Sequence, residues 1–583
     1  MSTDPQSACL VQRLNLDCLS LIFYEDVLAE VPPDLYDSNL EWSEPRENLL
    51  REAIGVAQEY KGWALIRLSH VCRRWRTVAL SLSSIWASLV AQFRIWYPND
   101  GYETILKRSH GHPLSFVLPD YPLDSYMQTQ LAENITRYNA IIFSTQSSKW
   151  SPLFSGNTAS LLQRAVFITD EYWFYADDLD SLPSTNPLEL APIQMPVATH
   201  LAFDGLYMPF IAPQLTCLVI TIQNACLSSS RIYDILQGTP LIESLTLLQY
   251  HYARGGGWRL DAVVEERVML LPHLAYLNIW GSVGDVSSFL LRLDSPQDIT
   301  LKISTYTMQN SAIFSQLADA LRPYMKHPSH NHLTVSNCYR CQRGYNDPPI
   351  FSLSQGPDGP RRLAVHIDID SWSQMMPIHP MAIERLVPGQ IRSLTIEDWD
   401  FEVYPSFPSR EANGAFHLDG LSQHVEELCY QACELTASMH YSLNNKRWGN
   451  GLVPDFLIRY PEKYPALRRI YTRGGSSHSE IPWPSAPQLS DMKGWYNLRT
   501  RKGISLEFLH LEGQLPEGTS TSLEFLGDDV PVVDNRHIKR PSPSPPSTPT
   551  VLSSPTSSNS SDELSDNSDE FYTHYAQHDA SPY

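Results

Sequence analysis

Apolar residues recur with two different periods along the 583-residue chain, and the change of period divides it. Leu65, Leu68, Cys72, Trp75, Ala79 and Leu82 follow one another in steps of three and four, which places them on one stripe of a helix. Leu14, Leu19, Ile22 and Phe23 suit a short amphipathic helix before it. Leu49, Leu50, Ala53, Ile54 and Ala57 suit another over about 46–60, with Pro45 at the first turn, where proline is tolerated. Arg73, Arg74 and Arg76 fall mostly off the main stripe, and Ile85 and Trp86 close the segment. So small a helical module carries more apolar surface than it can cover, and exposed surface of that kind marks a partner.

From about residue 113 the period shortens. Runs such as Pro213-Gln214-Leu215-Thr216-Cys217-Leu218-Val219-Ile220 and Pro240-Leu241-Ile242-Glu243-Ser244-Leu245-Thr246-Leu247 share the skeleton Pro-x-Leu-x-x-Leu-x-Ile. The runs from Pro272 and Pro388 repeat it, the second with one extra residue, and the run from Pro465 is a fainter copy. Each predicts a loop anchor followed by a strand with alternating inward residues. The spacing between Pro213, Pro240 and Pro272 leaves room for a return helix, predicted over Ser229 to Gln237 and over Val283 to Leu291. Between Lys302 and Pro388 the pattern loses register.

The expected fold is therefore α+β with repeats. A helical module spans 10–92 with an insertion at about 24–63, a linker helix spans 93–112, and an irregular leucine-rich repeat-like α/β solenoid spans 113–529. Residues 530–583 turn Pro/Ser-rich and then acidic, with too few apolar residues to offset the entropy of ordering, and are expected to be disordered. The 44 prolines agree with many short elements.

Net charge narrows the partners. A formal charge of −21 repels phosphate backbones and anionic lipids, so neither nucleic acid nor a membrane surface is expected. Nine cysteines without regular spacing fit reduced thiols in the cytoplasm or nucleus. No signal peptide and no membrane-spanning run is expected.

Two stretches support a resemblance. Leu14-Asn15-Leu16-Asp17-Cys18-Leu19-Ser20-Leu21-Ile22-Phe23 resembles the opening helix of an F-box. Leu68-Ser69-His70-Val71-Cys72-Arg73-Arg74-Trp75-Arg76 followed by Ile85-Trp86-Ala87-Ser88-Leu89 resembles its second half, with the same Trp75-to-Trp86 spacing. Pro113-Leu114-Ser115-Phe116 resembles the strand that follows in the large fungal F-box/leucine-rich-repeat-like family. Asn15 and Leu16 stand where the family has proline, and the insertion splits the two halves. The resemblance implies docking on a Skp-family adaptor of a cullin–RING ubiquitin ligase. Leu14, Leu19, Ile22, Val71, Trp75 and Trp86 would form module core and docking surface, and the repeats would hold a target protein for ubiquitin-dependent degradation. The chain would be a non-catalytic substrate adaptor with no cofactor.

His327, His330 and His332 precede Cys338 and Cys341, a set that can build a tetrahedral zinc site, against flanking residues of an ordinary strand at Leu333–Asn337. Cys429 and Cys433 have the spacing of one helix face. Gly255-Gly256-Gly257 lacks the lysine of a phosphate loop and reads as a turn. Asp368 and Asp370 read as the wet face of a half-buried strand, and with Asp398 as solvated surface rather than an acid/base pair. Ser542, Ser544, Thr548 and Ser554 precede proline, and Ser561, Ser565 and Ser568 precede acidic residues, which makes them candidates for phosphorylation. A leucine-rich repeat scaffold unrelated to ubiquitin, and a zinc-binding protein, are the alternatives to the ligase role.

Overall fold

The computed structural model describes residues 15–30, 63–87, 90, 99–118, 125–145, 154–169, 190–204, 207–222, 229–249, 268–306, 311–336, 351–356, 359, 361–368, 389–397, 423–431, 464–473, 486–515 and 530–538. It is a mixed α/β structure built on one large, mostly parallel sheet of sixteen strands. In chain order these are β1 (Leu114–Leu118), β2 (Tyr138–Thr145), β3 (Arg164–Thr169), β4 (His200–Asp204), β5 (Cys217–Ile222), β6 (Ser244–Gln249), β7 (Tyr276–Ser282) and β8 (Thr300–Tyr306). They continue as β9 (His332–Ser336), β10 (Phe351–Ser354), β11 (Arg361–Asp368), β12 (Ser393–Glu397), β13 (Glu427–Gln431), β14 (Arg469–Arg473), β15 (Phe508–Leu515) and β16 (Val532–Ile538).

Proline chemistry sets the entry to many of these strands. Leu215, Ile242, Leu274 and Leu467 are buried, and each backbone N–H donates to the carbonyl three residues back, closing a turn. Pro213, Pro240, Pro272 and Pro465 occupy the second turn position, where the fixed φ of proline is already correct. Pro196 does the same in the turn from Met195 to Ala198, a unit missed from sequence because Ala198 replaces the leucine.

Three residues after each anchor comes the residue that builds the core. Phe116, Ile141, Ala165, Leu201, Leu218, Leu245, Leu277 and Leu301 are register partners from strand to strand. The same row runs on through Leu363, Leu353, Leu333, Leu394, Leu428, Ile470 and Leu509 to Val532. All but Val532 are buried, so one continuous row crosses the sheet. Burying a leucine or isoleucine contributes about 1.5–3 kcal/mol each. Deleting a central member, Leu277→Ala, is expected to destabilise by about 2–5 kcal/mol in urea denaturation.

Helices cover that face. The helix expected over Ser229–Gln237 is present, and buries Ile232, Tyr233 and Leu236 into the same cluster as the leucine row. The helix Val283–Arg292 buries Val286, Phe289 and Leu290 there; its N-cap is Ser282, whose Oγ accepts from the Asp285 N–H at 3.2 Å. The helix Ser311–Met325 adds Leu317, Leu321 and Tyr324.

The lost register between 302 and 388 has a structural cause. The strand order there is β8, β11, β10, β9, β12, with β10 antiparallel to both neighbours. Two connections jump over strands and two run backward, so the proline skeleton disappears, yet Leu333, Leu353 and Leu363 still fall in the buried row. Other expectations need correcting. Cys429 lies on strand β13, not on a helix, and Cys433 lies outside the described residues. The boundary at 529 is too early, because β16 extends the sheet to Ile538. Val532 and Val533 supply the β-branched pair that the compositional shift obscured. The stretch predicted at 46–60 lies outside the described residues.

Candidate functional site

The N-terminal helices supply the first candidate surface. Helix α1 (Leu16–Glu30) runs past its expected end at Phe23. Asn15 caps it, its Oδ1 accepting from the Cys18 N–H at 2.7 Å. The stripe from Leu65 to Leu82, expected as one helix, is two: α2 (Trp63–Val71) and α3 (Arg73–Ser81). Cys72 breaks it. Its backbone is extended, and its Sγ accepts from the Trp75 N–H at 3.5 Å as the α3 cap. Helices α1, α2 and α3 pack on one another, and α4 (Asn99–Arg108), inside the span expected for a linker helix, follows them.

These helices sort the expected docking residues into two groups. Leu19 and Trp86 are buried, and Trp75 is half-buried with its ring 5.0 Å from Phe23 in an edge contact. The Trp86 Nε1–H donates to the Ala79 carbonyl at 2.8 Å, and the Arg108 guanidinium lies 4.7 Å from its ring centroid. Ile22 (44% exposed) and Val71 (60%) face outward. Leu14 lies outside the described residues. Sequence reading missed three further exposed side chains, Leu16 (55%) and Leu21 (64%) on α1 and Leu80 on α3. Arg73 and Arg76 are exposed beside them, Arg76 Nε donating to the Ser69 carbonyl at 3.1 Å.

The sheet face opposite the leucine row is the second candidate. Arg164, His200, Cys217, Ser244, Tyr276 and Thr300 are successive register partners there. The adjacent row includes Thr246, Asn278, Ser352, Thr334, Thr395 and Cys429, all buried. His332 is buried between two hydroxyls, Nδ1 at 2.9 Å from Ser393 Oγ and Nε2 at 3.1 Å from Thr334 Oγ1. Burial pushes the Cys217 thiol up to about 11, so it stays protonated at neutral pH and is a poor nucleophile. Burial, then Arg164, lowers the His200 imidazole, with Glu243 opposing. Toward the C-terminal strands the face turns aromatic, with Tyr471, Phe508 and His510 rings 5.6–6.3 Å apart. Exposed pairs Arg392–Glu426 at 2.8 Å and Arg468–Glu507 at 2.7 Å cross neighbouring strands, each contributing little against water.

The histidines considered for zinc have other roles. His327 Nδ1 lies 2.6 Å from Ser329 Oγ, and the His327 and His330 rings are 5.5 Å apart. Cys338 and Cys341 lie outside the described residues. Among the described residues no group of three metal-ligating side chains is found. Burial, then the neighbouring His327, lowers the His330 imidazole to about 4; carbonyls of Met325 and Tyr324 oppose this and Arg362 adds to it. The unfolded chain takes up this proton near pH 6.5 and the native state only near pH 4, so stability falls as pH drops through that window. Urea midpoints at pH 7 and pH 5 are expected to differ more for wild type than for His330→Leu; equal differences would exclude the effect.

Asp368 ends β11, and Asp370, Asp398, Gly255–Gly257 and the seven phosphorylation candidates lie outside the described residues, apart from Asp368 itself. No described helix is long and apolar enough to cross a membrane. No family model matches the sequence, and no curated protein matches it.

Proposed function

We propose that the chain is a non-catalytic adaptor that docks on a Skp-family subunit of a cullin–RING ubiquitin ligase and presents a target protein on its sheet. In this proposal the strands form a leucine-rich repeat-like α/β solenoid, and the N-terminal helices form an F-box-like module. The observation that carries it is the division of labour among the apolar side chains of that module. Leu19, Phe23, Trp75 and Trp86 secure it internally, while Leu16, Leu21, Ile22, Val71 and Leu80 remain exposed on helices that pack together. Exposed apolar side chains in such numbers mark a protein interface. Arg73 and Arg76 beside them suit a partner with an acidic rim, in a chain that is otherwise strongly acidic.

The remaining step is positioning. Holding a target beside a ubiquitin-carrying enzyme raises its effective concentration and asks no acid, base or nucleophile of this chain. A sheet built by adding strands provides the extended surface this needs.

Pull-down of the purified full chain by immobilised adaptor tests the role. Wild type is expected to bind. The double substitution Leu21→Glu with Val71→Glu should reduce binding at least about a hundredfold, since each places a charge in an apolar interface, and should leave the melting temperature unchanged. Equal binding by wild type and the double variant would refute this docking surface.

A further inference from the structure

The two ends of the sheet are treated differently. At the N-terminal end, α1 to α4 bury Trp86, Tyr102 and Ile105 in the cluster that contains Leu114 and Phe116 of β1. At the other end β16 is the last strand, and no described element pairs with its outer edge. Val532 is half-buried there and Val533 is 39% exposed. Stacked structures need their last layer covered, and an unpaired edge is a template for another strand.

The sequence of that edge is complementary to itself. It reads Val532-Val533-Asp534-Asn535-Arg536-His537-Ile538. Antiparallel pairing of two copies centred on Asn535 sets residue 534 of each against residue 536 of the other, an acidic position against a basic one, twice. It also sets 532 against 538, both aliphatic, and 533 against 537. Shifting the register by one residue in either direction loses the opposite-charge pairing. Asp534 and Arg536 are the register partners of Leu511 and Gly513 on β15. A lone charge at such a position usually blocks edge pairing. A symmetric partner instead matches each charge with its opposite.

We propose that β16 is a homodimerisation edge, through which two copies of the chain join their sheets antiparallel about a two-fold axis at Asn535. Such an interface is isologous and closed, so assembly stops at two copies. It also leaves the N-terminal helices at the two far ends of the joined sheet, free to act independently of it.

Sedimentation velocity of the full chain over about a hundredfold range of concentration tests this. Wild type is expected to pass from one to two copies. Arg536→Asp sets like charges opposite each other twice and should weaken self-association at least about tenfold. Adding Asp534→Arg to that variant restores opposite charges and should restore the dimer. Melting curves matching wild type keep loss of fold from imitating loss of the interface. A monomeric wild type at every concentration would overturn the proposal, as would a dimer indifferent to Arg536→Asp. A dimer lost in both the single and the double variant would likewise overturn this register.

Discussion

Trp86→Ala is expected to unfold the N-terminal module rather than to trim a docking surface. The indole is 1% exposed, donates to the Ala79 carbonyl and lies beneath Arg108. Removing it deletes a large buried ring, which costs about 3–5 kcal/mol. It also leaves the Ala79 carbonyl with only the Leu82 N–H, at 3.4 Å, and ends the cation–π contact. Circular dichroism melts should show an early transition, and limited proteolysis should cut within 63–108. Adaptor binding should vanish as well, but as a consequence of unfolding. A variant as stable as wild type that still loses adaptor binding would mean that Trp86 belongs to the interface instead. This separates Trp86 from Val71, although both lie in the stretch that resembles an F-box.

The second large effect is expected far from that module. In the helix Ala486–Arg501, Arg499 is buried. Its Nη1 donates to the Tyr464 carbonyl at 2.9 Å and its Nη2 to the Leu467 carbonyl at 2.7 Å, with the Trp495 ring centroid 5.1 Å from the guanidinium. Burial lowers its pKa to about 10, which still leaves it cationic at neutral pH. One fork thus ties this helix to the turn that starts β14. Arg499→Met keeps most of the stem and removes both donors. The Tyr464 carbonyl retains the Leu467 N–H at 3.2 Å, but the Leu467 carbonyl loses its charged partner. A loss of about 3 kcal/mol is expected in guanidinium denaturation. Arg499→Lys should recover only part of it, because one ammonium does not reproduce a planar fork reaching two carbonyls. Unchanged stability of Arg499→Met would show that the helix is held by Trp495 and its apolar neighbours alone.

Much of the sheet was legible because its local code is physical. A proline two or three residues before an aliphatic anchor, itself three residues before the ladder residue, located β5, β6, β7, β12 and β14 from sequence. The code failed where another residue could serve the same turn, as Ala198 does, and where the strand order reverses at β9 to β11. Pairing between distant strands leaves no local mark. The proposed docking surface was legible only in part, since periodicity identifies a stripe but not which members a neighbour will cover. Trp86 and Val71 differ in what packs against them, and that is decided by the edge of the sheet and by Arg108. Leu21 was missed because it lies outside the expected stripe. Arg499 gave no signal at all; an arginine near a helix end usually reaches water.

Hydrogen–deuterium exchange of the full chain, with and without purified Skp-family adaptor, tests the docking claim most directly. Slowed exchange confined to 16–23 and 63–81 is expected on adding the adaptor, with the sheet strands unchanged. No slowing at those helices at saturating adaptor, or slowing found only on the sheet, would contradict an N-terminal docking module.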